Sequence, residues 1–204
     1  MNARIAAKRQ VIAVATNNLA RDYEFDDITV DMICERAEIS RSTFYRLFPD
    51  KYSILTWCEE ISFSRGIAQL GRSLTCLEGV TVTLECFRLF NSLFLSTQHS
   101  SERISRENAG KREAARLLRA TVTEIHGLSI DEELDFQIGW FVSGFLEQCV
   151  TWSKAQCPNS VEDLALLIVS CCPQKLRNIF DNPQSSKNPE DVALQNIVIE
   201  GPLR

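Results

Sequence analysis

Several common classes of protein are excluded by what this 204-residue chain lacks. Its eight cysteines (34, 58, 76, 86, 149, 157, 171 and 172) include no C-x-x-C pair, and its two histidines, His99 and His126, stand far from any regular cysteine ladder. Neither a disulfide framework nor a structural zinc site has that spacing. Cys34, Cys86 and Cys149 fall among apolar residues at helical intervals, where a reduced thiol acts as a small hydrophobe. There is no Gly-rich phosphate loop, no G-x-S-x-G, no H-E-x-x-H and no paired-carboxylate signature. The expectation is therefore a protein that is not an enzyme and needs no metal or cofactor. The longest strongly apolar run, residues 164–172, is far too short to span a bilayer. The opening MNARIAAKRQ has no long apolar core of the kind a secretory leader needs. A cytoplasmic protein with no membrane partner is expected. A surplus of positive charge is missing too: the net charge is -5 and the pI near 5.2. That excludes a general coater of polyanions but not a site-specific reader whose charge is local. No internal repeat or low-complexity tract occurs.

The hydrophobic share is 45%, enough at this length to bury a substantial core in one or two domains. The most informative stretch is residues 28–55, ITVDMICERAEISRSTFYRLFPDKYSIL. Thr29 is a good N-cap, and Asp31 adds negative charge to the first turn of the helix that follows. Ile33 and Ala37, four apart, share a face of that short helix. Glu38 and Ile39 make a tight turn. Ser40 can cap a second short helix, in which Phe44, Leu47 and Phe48 have helical spacing. Pro49 ends it, and Asp50 can cap the next. Arg41, Ser42, Tyr45 and Arg46 are not needed for the buried face, and Lys51 follows just beyond. Forked guanidinium donors suit phosphates or guanine edges, and hydroxyls bond phosphate oxygens. A two-turn helix, small and hydroxyl-rich at its start, can enter a major groove N-terminus first. The plain alternative is a helical hairpin with ordinary polar residues on its wet face; caps, turn and donor cluster together favour the DNA-reading alternative.

At these residues the sequence resembles the DNA-binding domain of TetR-family transcriptional regulators. The likeness is carried by Thr29 and Val30, Ile33 and Ala37, Ile39, the run Ser42-Thr43-Phe44-Tyr45, and Phe48, Asp50, Lys51 and Leu55. A preceding stripe of Ile12, Ala15, Thr16 and Leu19, with Phe25 before the second helix, fits as well. The match spans about residues 10–55, roughly a quarter of the chain. It departs from the family's pattern at Tyr23 and Glu38, where Gly is frequent, and at Leu47, where many relatives have His or Tyr. The resemblance implies DNA contacts from Thr29, Ser40, Arg41, Ser42, Thr43, Tyr45, Arg46 and Lys51. Through Lys51 there are eight Lys/Arg and eight Asp/Glu, so any electropositive footprint is local, from Arg4, Lys8 and Arg9 with Arg41, Arg46 and Lys51. Binding to arbitrary DNA should be weak and salt-sensitive.

The remainder reads as helix. One long helix is expected from Asp50 to about Ser73, and a Leu- and Phe-rich one from Gly79 to Thr97. A short polar helix and a loop are expected over 100–112, and a helix from Ala114 to His126. Further helices follow over 131–154 and 160–172, the latter capped by Ser160 and ended by Pro173. The whole is predicted to be all-α: a helix-turn-helix head over 1–50, a larger effector-binding and dimerisation part over 51–180, and a polar tail over 181–204. The resemblance implies a homodimer through helices near 131–154 and 160–172, on a near-palindromic double-stranded operator. The alternative for those apolar helices is burial within one monomer. It also implies a pocket for a small-molecule effector, for which Trp57, Phe87, Phe90, Phe94 and Trp140 are aromatic candidates; ordinary core is the alternative for each. The functional expectation is a repressor released from its operator by that effector. The alternative is a coactivator on the same scaffold that regulates transcription through a protein partner.

Overall fold

The computed structural model describes residues 3–97 and 103–184. All regular structure among them is helical: α1 Ala3–Leu19, α2 Val30–Arg36, α3 Arg41–Leu47, α4 Tyr52–Arg65, α5 Cys76–Leu89, α6 Asn91–Leu95, α7 Arg103–Ala120, α8 Glu132–Lys154, α9 Val161–Ser170 and α10 Gln174–Phe180. The all-α expectation is met. The chain forms two compact units, one from Met1–Ile61 with Leu89–Ile104, the other from Ser62–Arg88 with Ser105–Arg204.

In the first unit α1 packs on α2, α3 and α6. Its predicted stripe faces inward: Ile12, Ala15, Thr16 and Leu19 are all buried. The buried hydroxyl of Thr16 donates to the Ile12 carbonyl, so no polar group is left unsatisfied there. Asn17, also buried, accepts from the backbone N–H of Leu93 at 2.9 Å and ties α6 to α1. That returning segment is absent from the expected 1–50 head, because nothing local in residues 89–97 marks them as partners of α1.

In the second unit the core is built on α8. Leu134, Ile138, Phe141, Val142, Phe145, Cys149 and Trp152 form its buried stripe, with Leu164, Ala165 and Ile168 of α9 and Leu176 and Phe180 of α10 in the same cluster. Asp131 caps α8 by accepting from Leu134 N–H at 2.8 Å, and Lys175 of α10 reaches the same carboxylate at 2.9 Å. Ser160 caps α9 as expected, accepting from Asp163 N–H.

Several expected boundaries shift. The helix after the head stops at Arg65 rather than near Ser73. Gly66 lies so close to α5 that a Cβ there would sit 1.9 Å from Thr83 Oγ1 and 2.8 Å from the Gly79 carbonyl oxygen. The Leu- and Phe-rich segment is two helices, broken at Phe90. Residues 103–120 are one continuous helix, and no loop interrupts it near 112; it runs on as a π-helical turn over Thr121–Ile125. Pro173 starts a further helix instead of ending the last one, since its fixed φ and missing N–H suit a helix start. His99 and residues 185–204, most of the predicted tail, lie outside the described residues.

Candidate nucleic-acid interface

The candidate interface is assembled by two short helices and the turn between them. Thr29 Oγ1 accepts from Met32 N–H at 3.2 Å and opens α2; Ile33 and Cys34 are its buried residues. Ile39 N–H then reaches back to the Cys34 carbonyl at 2.9 Å, closing the turn. Glu38 takes φ +52°, the left-handed conformation that Gly adopts without cost. Ser40 caps α3: its Oγ accepts from Thr43 N–H at 3.2 Å and lies 2.9 Å from Ser42 Oγ. Phe44, Leu47 and Phe48 go into the core. Phe48 is packed edge-on against Trp57 and lies under the guanidinium of Arg9, 5.2 Å from its ring centroid, which fixes α1 against the end of α3. Asp50 caps α4 through Ser53 N–H at 2.8 Å, and the Ser53 hydrogen bonds hold its carboxyl below the usual carboxylate range.

Burial of that face leaves Ser40, Arg41, Ser42, Tyr45 and Arg46 exposed, with Thr43 half-buried. Arg41 is not a loose side chain. Its guanidinium is bound to the Asp31 carboxylate on α2, its Nη2 lies 3.4 Å from the Tyr45 hydroxyl, and it stands over the Tyr45 ring. This cluster holds the guanidinium at the N-terminal end of α3, and the Asp31 hydrogen bond raises the Arg41 pKa further. Asp31 was legible as an acid in the first turn of α2; its pairing with a residue ten positions on was not.

Lys51, one of the expected DNA contacts, is engaged within the fold. Its ammonium donates to the carbonyl oxygens of Phe25, Asp26 and Ile28 at 3.0, 2.7 and 2.8 Å. Three carbonyls match the three N–H donors of an ammonium, so the side chain closes the loop before α2. Partial burial lowers its pKa, against the pull of the Asp26 and Asp27 carboxylates.

The five aromatic residues expected to line an effector pocket do not gather in one unit. Trp57 belongs to the head's core, against Phe48, and Phe90 and Phe94 are in the same unit. Phe87 packs on the core of the second unit. Trp140 is 52% exposed, on the outer face of α8 with Phe136 at 70%. Helical spacing alone does not say which of two apolar faces points inward. Among the described residues no group of three or more His, Cys, Asp or Glu is placed to hold a metal ion, and no helix is long and apolar enough to cross a membrane.

Two capped helices joined by a tight turn, packed on a third and presenting hydroxyls and a guanidinium, make this a helix-turn-helix of the kind DNA-binding regulators carry. Residues 12–56 match the profile of the family described as bacterial regulatory proteins, tetR family. The match is confined to this N-terminal segment, which is therefore a DNA-binding domain of the tetR type. Among solved structures, the dihydroxyacetone kinase operon activator DhaS is similar along 85% of this chain and 98% of its own, with 19% identity and a TM-score of 0.66, so the two share a fold. A TetR transcriptional regulator from Streptococcus agalactiae 2603V aligns over 84% of this chain and 96% of its own, with 20% identity and a TM-score of 0.49. No curated protein matches the chain.

Proposed function

We propose that the protein reads a near-palindromic operator as a homodimer and represses transcription until a small-molecule effector releases it. The observation that carries the DNA-reading role is the exposed row Ser40, Arg41, Ser42 and Tyr45 on a capped helix whose opposite face is closed by Phe44 and Leu47. Arg41 and Ser42, at the leading end of α3, are assigned to base edges. Thr29, Ser40, Thr43 and Tyr45 are assigned to phosphates, and Arg46 to either. Lys51 contributes by shaping the loop ahead of α2. The dimer is supported by large apolar side chains left outside: Phe136 and Trp140 on α8, and Leu166 and Leu167 on α9, the last two 57% and 58% exposed. Gly139 and Gly144 have open space around them, room for a close helix–helix approach. An effector that prefers the dimer with wider head spacing would draw it from the operator by its differential affinity.

A second reading, activation instead of repression, is favoured by one observation: the protein sharing this fold at a TM-score of 0.66 is an operon activator. Gel shifts with duplexes flanking the protein's own gene, at two salt concentrations, test the DNA role. A complex that weakens with salt yet prefers one duplex is expected; no complex with any duplex rejects direct DNA reading. Reporter expression with and without the protein then separates repression from activation.

A further inference from the structure

The second unit contains a buried cation with no carboxylate partner among the described residues. Arg65, in the last turn of α4, is 6% exposed, and its Nε and Nη2 are buried without any hydrogen-bond partner among the described residues. Its hydrogen-bond partner is a thiol, Cys86 of α5, which also hydrogen-bonds Ser62. Cys86 is 2% exposed, and burial pushes its thiol up, so it stays protonated at neutral pH and neutralises nothing. The C-terminal dipole of α4 favours a cation at this position, but only modestly. Burying an ionised group whose partner is only a neutral thiol costs several kcal/mol, and native folds rarely tolerate it. The two orphaned donors are also a particular pair. Nε–H and the neighbouring Nη2–H point the same way from the guanidinium plane, the parallel fork that receives both oxygens of one carboxylate or phosphate.

We propose that Arg65 anchors an anionic effector, its Nε/Nη2 fork taking two oxygens of a carboxylate or phosphate group on a small molecule. The assignment rests on the effector-regulated reading above and adds the chemical class of the ligand. Charge neutralisation supplies the affinity, and the planar fork supplies the selectivity for an oxyanion over a spherical halide. Cys86, held by Ser62 and hydrogen-bonded to the guanidinium, sets how close the anion's remaining atoms can lie.

The test uses the full chain, thermal unfolding and four probes at matched ionic strength: inorganic phosphate, phenyl phosphate, acetate and benzoate, with chloride as reference. At least one oxyanion should raise the wild-type Tm saturably, by about 2 °C or more, as expected when a ligand binds only the folded state. The phosphate and carboxylate arms decide which group is taken. Arg65→Met should abolish the rise and, without ligand, melt at or above wild type, because an unneutralised buried charge has been removed. Arg65→Lys, which keeps the charge without the fork, should bind at least tenfold more weakly. No response to any oxyanion, an unchanged response in either variant, or an Arg65→Met protein that melts well below wild type would each overturn the proposal. Duplex binding in the same samples keeps the two readings apart. An Arg65-dependent anion response that leaves DNA binding unchanged supports the site and rejects its effector role. Release of DNA by an anion independently of Arg65 supports the effector reading and overturns the anchor.

Discussion

Asp31, in the first turn of α2, holds the guanidinium of Arg41, the first residue of α3, and so fixes the only arginine at the leading end of that helix. Both side chains are largely exposed, 70% and 57%, so the pair orients a side chain more than it stabilises the fold. It also sets an acid against the surface assigned to DNA. Asp31→Asn is expected to leave the Tm nearly unchanged and to tighten binding to all duplexes at low salt. The slope of log affinity against log salt should steepen by about 1, because a repulsion is removed or the freed guanidinium grips a phosphate. Fluorescence anisotropy at a series of salt concentrations checks this.

Arg41 and Tyr45 should separate in kind. Arg41→Ala is expected to change the ranking of duplexes, by about tenfold or more at the positions it reads, while Tyr45→Ala weakens every duplex similarly. Competition binding across single-base variants of one site distinguishes them. Uniform loss from Arg41→Ala would reject its assignment to base edges.

Lys51→Met is expected to destabilise the protein by about 2 kcal/mol, because carbonyls that accepted from a charged donor lose it. Urea unfolding measures the loss. DNA affinity per folded molecule should fall only modestly; a large loss of affinity with an unchanged Tm would instead assign Lys51 a direct DNA contact.

Glu38 stands at φ +52°, a strained choice for a residue with a side chain. Glu38→Gly trades about 1–2 kcal/mol of left-handed strain against about 0.5–1 kcal/mol of backbone entropy. A stability gain of up to about 1.5 kcal/mol is expected in urea unfolding.

Asp50 supplies a pH dependence whose sign follows from its cap. The folded state holds its carboxyl below the unfolded value because it accepts from Ser53. Its contribution is present above the unfolded pKa of about 3.9 and is lost as pH falls through the lower folded value. Wild type should therefore lose more Tm than Asp50→Asn between about pH 5 and pH 3, as thermal melts across that window would show.

Features that depend on a few neighbouring residues could be read from the sequence. The caps Thr29, Ser40, Asp50 and Ser160 each bond a backbone N–H three positions on, so the residue type and the next turn suffice to place them. The stripes of α1 and α3 were legible for the same reason. What escaped depends on distant partners. Lys51 finds carbonyls more than twenty positions back, and Asn17 meets Leu93. Arg65 in a row of letters is one more helical arginine; only folding buries it beside Cys86. Trp140 escaped differently, since a helix with apolar residues on two faces does not declare which one the monomer covers.

The most direct measurement is selection of duplexes from a random pool by the purified full chain at low ionic strength, repeated with Arg41→Ala. Wild type should enrich an inverted repeat, and Arg41→Ala should enrich a repeat with altered bases at the positions Arg41 touches. Recovery of no preferred duplex by wild type would contradict the claim that this face of α3 reads DNA.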